Sequence, residues 1–237
     1  MAGGVIGDSR EGTVYGFSTG YGTSSARTRP GRMFPSSAPR KIVLTALVGC
    51  VWLCSLGFGI RSLLSYENTA GRMGRSPATW PADSHIQRST QDYTLVMLAH
   101  PFCPCTRASV NELAQIMAQT QGKLRAYVLF LKPENSDADW DDTALRRTAA
   151  AIPAVTVVTD FGGSEARRFG AETSGHTLLF ERTGRRVFSG GITASRGHAG
   201  GNAGESAIVA LVNRGTADRT SSLVFGCGLS KGKDTAN

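Results

Sequence analysis

The sequence predicts an α/β domain, a mixed β-sheet flanked by helices, preceded by one transmembrane helix. Three observations predict it. Across residues 92–214, short runs rich in β-branched and large apolar residues alternate with helical apolar stripes. That is the pattern of a sheet with parallel pairs and covered faces. The alternation ends in two runs joined by a turn containing Thr183-Gly184, which reads as a hairpin and adds an antiparallel edge. Upstream, residues 42–60 read IVLTALVGCVWLCSLGFGI without a charge, close to the roughly 20 apolar residues that cross a bilayer.

Taken in order, residues 1–41 are rich in Gly, Ser, Thr, Arg and Pro and read as a disordered tail. The tail carries six basic and two acidic residues. Residues 42–64 are the expected anchor. Leu47-Val48-Gly49-Cys50 resembles a lipoprotein box and Asn68-Thr69-Ala70 a weak cleavage site, but the apolar run continues well past Cys50. An uncleaved span follows from that length. Arg27, Arg29, Arg32, Arg40 and Lys41 precede the span, against Arg61, Arg72 and Arg75 after it. The richer basic flank stays in the cytoplasm, so the C-terminal domain is expected outside it, in the periplasm of a Gram-negative cell. Residues 65–91, with Gly71, Gly74, Pro77 and Pro81, read as a linker.

The domain is expected to span residues 92–214. Its first strand is 93–99, followed by a helix at 108–120 with Val110, Leu113, Ile116 and Met117 at helical spacing. A buried strand at 125–131 ends before Pro133. A helix at 137–151 is stopped by Pro153, and a third strand runs 155–159. A short helix at 164–169 precedes the strands 176–180 and 186–188, and a last helix covers 205–213. The order β-α-β-α-β-α-β-β-α gives a sheet of about five strands. Residues 215–237 read as a polar tail interrupted by Leu223-Val224-Phe225.

The net charge is +8, yet residues 95–215 carry 13 basic against 11 acidic residues. No basic patch is interleaved with aromatics, so the charge does not argue for nucleic acid as a partner. The partner that the sequence argues for is the lipid bilayer, through one span.

The chemistry concentrates at His100-Pro101-Phe102-Cys103-Pro104-Cys105-Thr106-Arg107, where a strand turns into a helix. Backbone N–H groups and the helix dipole favour a thiolate there. Cys50 and Cys54 fall in the span, one helical turn apart, and read as packing residues. Cys103, Cys105 and Cys227 lie beyond it, where an oxidising compartment permits disulfides.

This strand order, with cysteines between the first strand and its helix, resembles the thioredoxin fold. The segment 95–116, LVMLAHPFCPCTRASVNELAQI, is similar to the active-site region of membrane-anchored thioredoxin-like proteins of the bacterial envelope. It is closer still to the RedB-type group, through His100 to Ser109, Thr173-Ser174-Gly175, the run from Phe188 to His198, and Phe225-Gly226-Cys227. The resemblance implies a redox-active thiol site and, as partner, a client protein's thiol or disulfide. The chain departs from ordinary thioredoxins twice. Its motif is C-x-C rather than C-x-x-C, and His176 stands where thioredoxins carry a cis-proline.

Two chemistries follow. In the first, Cys103 is the nucleophile of thiol–disulfide exchange and Cys105 resolves it, with Pro104 holding the turn. The small ring would be strained and readily reduced, which points to an oxidant or isomerase. An alternative alignment puts Phe102 at the nucleophile position and exchanges the two cysteines' roles. Arg107 is placed to support a thiolate, His100 and His176 to flank the pair, and Cys227 to fold back as a resolving thiol. No cofactor is needed. In the second chemistry Cys103, Cys105 and His176 form a soft site for copper as Cu(I), or for zinc. A third reading is a non-catalytic binding module. Its Gly-rich loop at 190–204 would offer Ser195, Arg196 and His198 to an anion or peptide carboxylate.

Overall fold

The computed structural model describes residues 38–229. Among the described residues, the division between two units falls between Cys50 and Val51. The expected disordered tail lies almost wholly outside the described residues.

α1, Ala38–Asn68, is a helix of 31 residues, about 46 Å long at 1.5 Å per residue. Its stretch Pro39–Asn68 is apolar and long enough to cross a membrane, and its most apolar window is not buried against protein. Ile42, Leu47, Trp52 and Phe58 all face outward.

The strands β1 (Tyr93–Ala99), β2 (Leu124–Lys132), β3 (Val155–Phe161), β4 (His176–Phe180) and β5 (Arg186–Gly190) form one sheet in the order β3-β2-β1-β4-β5. β1 pairs parallel with β2, and β2 parallel with β3. β4 runs antiparallel to β1, and β5 antiparallel to β4. Six of the seven residues of β1 are buried, because a central strand is covered on both faces. The expected mixed sheet is therefore present, flanked by helices and preceded by the apolar helix.

Side chains alternate across the sheet. One face packs Leu95, Met97, Val128 and Leu179 under α2 (Pro104–Thr120) and α5 (Ala203–Arg214), with α3 (Ala144–Ala150) at its margin. The other face packs Val96, Leu98, Leu178 and Phe180 under α4 (Ser164–Arg168) and the residues that follow it. The third helix is shorter than the expected 137–151. Thr143 caps it by accepting a bond from the Arg146 N–H, while Asp141 is held apart by Lys132, Arg146 and Thr159.

Two segments expected to be loose are laid onto the domain. In the stretch 65–91, Trp80 stacks edge-on against Phe169 and Phe180 at 5.2 and 5.0 Å, and Ile86 is buried. In the tail, Val224, Phe225 and Leu229 are buried. Gly71 N–H donates to the Val224 carbonyl at 2.8 Å, so the two segments also hold each other. The sheet and helices alone leave apolar surface uncovered, and these segments bury it.

Candidate functional site: a three-thiol centre

The site begins where β1 ends. The chain turns through His100 and enters α2 at Cys103, which takes an extended N-cap conformation. Pro104 occupies the first helical position, where its missing N–H costs nothing and its fixed φ suits the helix. The Cys103 N–H donates to the His100 carbonyl at 3.1 Å, and the Thr106 N–H to the Cys103 carbonyl at 3.1 Å. The helix therefore starts at Pro104, earlier than its apolar stripe indicated, and both cysteines belong to its first turn.

The loop before β4 forms the second wall. Ser174 is fully buried. Its hydroxyl accepts from the His100 N–H at 2.7 Å and shares a hydrogen bond with the Thr106 hydroxyl at 2.6 Å. Gly175 has φ +87°, and a Cβ there would lie 2.9 Å from Ser109 Oγ on α2. Only glycine lets this loop approach the helix so closely in that conformation.

The C-terminal segment forms the third wall. The Ser174 N–H donates to the Cys227 carbonyl at 2.8 Å, and the Leu229 N–H to the Glu172 carbonyl at 2.8 Å. Thr173 and Gly228 form an antiparallel bridge. This pairing brings Cys227 beside Cys103, close enough for the two thiols to interact electrostatically. Arg196 completes the centre. Its guanidinium donates to the carbonyls of Gly226 at 2.6 Å and Thr69 at 3.2 Å, and it stacks over Tyr66 at 4.9 Å. Its charge also acts on the Cys105 thiol.

These neighbours divide the thiols electrostatically. Burial pushes the Cys103 thiol up, but hydrogen bonds from Thr106 and Cys227 outweigh it and hold its pKa below the ordinary value. Burial and the charge at Cys103 raise the pKa of Cys105, against the pull of Arg196. Burial, then the hydrogen bond to Cys103 and the charges of both other cysteines, push Cys227 up to about 12. Of the three, Cys103 is thus the sulfur whose thiolate is favoured. Access runs the other way. Cys103 is 2 % exposed and Cys105 6 %, whereas Cys227 is half-buried.

The structure brings together Cys103, Cys105, Cys227 and Arg196, with Pro104 and His100 shaping the turn. Burial lowers the pKa of His100, and its Nδ1 accepts from the Phe102 N–H at 3.2 Å. Arg107 was expected at the thiolate, but it sits on the solvent side of α2 and is exposed. Arg196 takes that place, reaching in from a loop.

His176 is not part of the centre. It shares the sheet face of Leu178 and Phe180, opposite the face that α2 covers, and its Nε2 bonds Ser189 Oγ at 3.0 Å. Burial, with a smaller effect of Arg186, lowers its pKa to about 4. Its Nδ1 has no partner. Strand alternation decides this: β4 begins at His176, so the side chain must share the face of Leu178. Among the described residues, no group of three or more His, Cys, Asp or Glu side chains is arranged to hold a metal ion.

The Gly-rich loop acts chiefly as a connector. Asn202 caps α5 through the N–H groups of Gly204 and Glu205, and Glu112 takes the Gly200 N–H at 2.7 Å. Ser195 is partly exposed and His198 exposed, while Arg196 is committed to carbonyls.

Sequence reasoning missed Ser174 and Thr106, whose signal was the Thr-Ser-Gly motif and the residue after Cys105. It also missed Trp140, whose ring meets Phe102 edge-on at 5.0 Å and His100 at 5.6 Å. Phe102 is 59 % exposed beside Cys103. Nothing in the acidic run around Trp140 announced that contact.

No protein-family model matches this chain, and no curated protein matches it. Solved structures do. An uncharacterized conserved protein from Geobacillus kaustophilus is 18 % identical, with a TM-score of 0.50 over 71 % of this chain and 95 % of that one. A hypothetical protein from Sinorhizobium meliloti 1021 is 18 % identical, with a TM-score of 0.47 over 70 % and 99 %. A structure titled as a putative thiol:disulfide interchange protein DsbE, from Chlorobium tepidum, is 19 % identical, with a TM-score of 0.36 over 51 % and 84 %. The sheet order and the likeness to the Geobacillus structure together establish the fold, a thioredoxin-like mixed sheet.

Proposed function

We propose that this chain is a membrane-anchored thiol–disulfide exchange protein of the bacterial envelope, similar to the RedB-type group. α1 tethers it to the bilayer with its basic N-terminus in the cytoplasm, and the thiol centre works on the other side, on a client protein's thiol or disulfide. The observation that carries this reading is the meeting of three cysteines from two distant segments at a helix N-terminus, with Thr106 and Arg196 beside them. A thiolate at Cys103 is favoured, and a second sulfur lies beside it to complete a two-electron couple. Cys105 and Cys227 are both available as that second sulfur. The exposed ring of Phe102, backed by the half-buried Trp140, offers apolar contact to a client chain next to the site.

Glutathione disulfide serves as the test substrate. Cys103→Ser is expected to slow exchange by at least about 100-fold, because the thiolate is the reacting or leaving species. Unchanged exchange in that variant contradicts the reading. The copper alternative retains its two thiols but lacks the histidine expected to join them. Stoichiometric Cu(I) binding that survives Cys103→Ser would likewise count against a metal centre built on that residue.

A further inference from the structure

We propose that the working disulfide of this domain joins Cys103 to Cys227, with Cys227 the sulfur that the client meets and Cys103 the buried sulfur that leaves. The inference rests on the exchange reading above and names its partners.

Three observations point to the pair. First, Cys103 and Cys105 sit two residues apart at the start of one helix, as N-cap and second helical residue. Side chains at that spacing diverge around the helix axis; the two thiols interact electrostatically, but a bond between them requires the first turn of α2 to open. That turn is pinned, by the Cys103 N–H to His100 and by Thr106 to Ser174.

Second, Cys227 needs no such rearrangement. Its segment is fixed on both sides by the Ser174 N–H to its own carbonyl, by the bridge from Thr173 to Gly228, and by Arg196 on the Gly226 carbonyl. Through Ser174, whose N–H binds the Cys227 carbonyl and whose hydroxyl binds Thr106 and the His100 N–H, the segment faces the start of α2, and the Cys227 thiol interacts electrostatically with Cys103. Third, the two sulfurs differ in access. Cys103 is 2 % exposed and Cys227 half-buried, so an incoming thiolate reaches Cys227 first.

The steps balance as two electrons. A client thiolate attacks Cys227 Sγ of the internal disulfide. The bond to Cys103 breaks, and Cys103 leaves as the thiolate that Thr106 stabilises. A second client thiol, having lost its proton to solvent, attacks the client sulfur of the mixed disulfide. The client gains a disulfide, and Cys227 leaves with the electron pair and takes up a proton. The low basicity of the buried leaving thiolate favours this direction, since a thiol of lower pKa leaves faster. The domain is then an oxidant of client dithiols. Cys105, held by Arg196, remains a thiol throughout.

The experiment is disulfide mapping on the full-length chain in detergent, equilibrated in glutathione buffers, quenched with an alkylating reagent and read by mass spectrometry. Wild type and Cys105→Ser are both expected to yield a peptide linking residues 103 and 227. Cys103→Ser is expected to accumulate a glutathione adduct on Cys227. A link between residues 103 and 105 in wild type overturns the proposal but leaves exchange standing, as does an adduct on Cys105 in the Cys103→Ser variant. Absence of any internal disulfide and of any adduct across the buffers overturns both. Cys105→Ser keeps the test readable if a change at Cys227 unfolds the C-terminal segment.

Discussion

At the residue scale, the three thiols are alike chemically and unlike in surroundings. Cys103 lies at a helix N-terminus with Thr106 in reach, and its pKa falls; Cys227 is desolvated by burial and sits beside two other sulfurs, and its pKa rises to about 12. Raising the pH of the reduced protein should therefore produce its first thiolate absorbance below the range of an ordinary cysteine. That step should vanish in Cys103→Ser and persist in Cys227→Ser, at a higher pH because a stabilising donor is lost. His176 makes a second, separate claim. Its pKa is about 4 in the fold against 6.5 as the unperturbed value. Between those values the unfolded chain binds the extra proton, so stability rises with pH across the window. Above pH 6.5 the penalty is absent; by pH 4 it amounts to about 3 kcal/mol. Denaturant titrations should show wild type losing more stability than His176→Gln as the pH falls through this window.

At the element scale, the positions of the segments decide the site. Gly226 lies against the Ser174 carbonyl, and a Cβ there would sit 2.0 Å from that oxygen. Gly226→Ala should displace the C-terminal segment and draw Cys227 away from Cys103. Disulfide formation in glutathione buffers should then slow by at least about tenfold, the equivalent of roughly 1.4 kcal/mol, while the far-ultraviolet circular dichroism stays unchanged. Trp80 tests the stretch before β1. Truncation of its ring removes the contacts with Phe169 and Phe180, and Trp80→Ala should cost about 2–3 kcal/mol by denaturant unfolding. A free linker would lose nothing.

The strands were legible in the sequence because buried runs such as YTLVMLA carry a strong pattern, and β1 and β4 fall where that pattern ends. The Cys-Pro-Cys turn was legible for the same reason, being fixed by the strand before it. What was not legible was tertiary. The segments 65–91 and 215–229 have turn-rich compositions, and their few buried side chains, Trp80, Ile86, Val224 and Phe225, carry no periodicity. Whether His176 or Arg196 meets the thiols depends on which sheet face and which loop they occupy, and no local spacing records that.

At the scale of the whole molecule, the last turns of α1 and the thiol centre share one residue. The Arg196 N–H donates to the Glu67 carbonyl at 3.0 Å, its side chain covers Tyr66, and the same guanidinium holds Gly226 and reaches Cys105. The end of the apolar helix and the sulfur cluster are thereby held in one network. The account's central claim is that this cluster is a reversible two-electron couple depending on Cys103. The most direct test is to equilibrate the full-length chain across glutathione buffers of graded potential and count free thiols by mass spectrometry. The account predicts one reversible transition in which two thiols are lost together, abolished by Cys103→Ser. A transition that survives Cys103→Ser, or three thiols that stay reduced across all buffers, would contradict it.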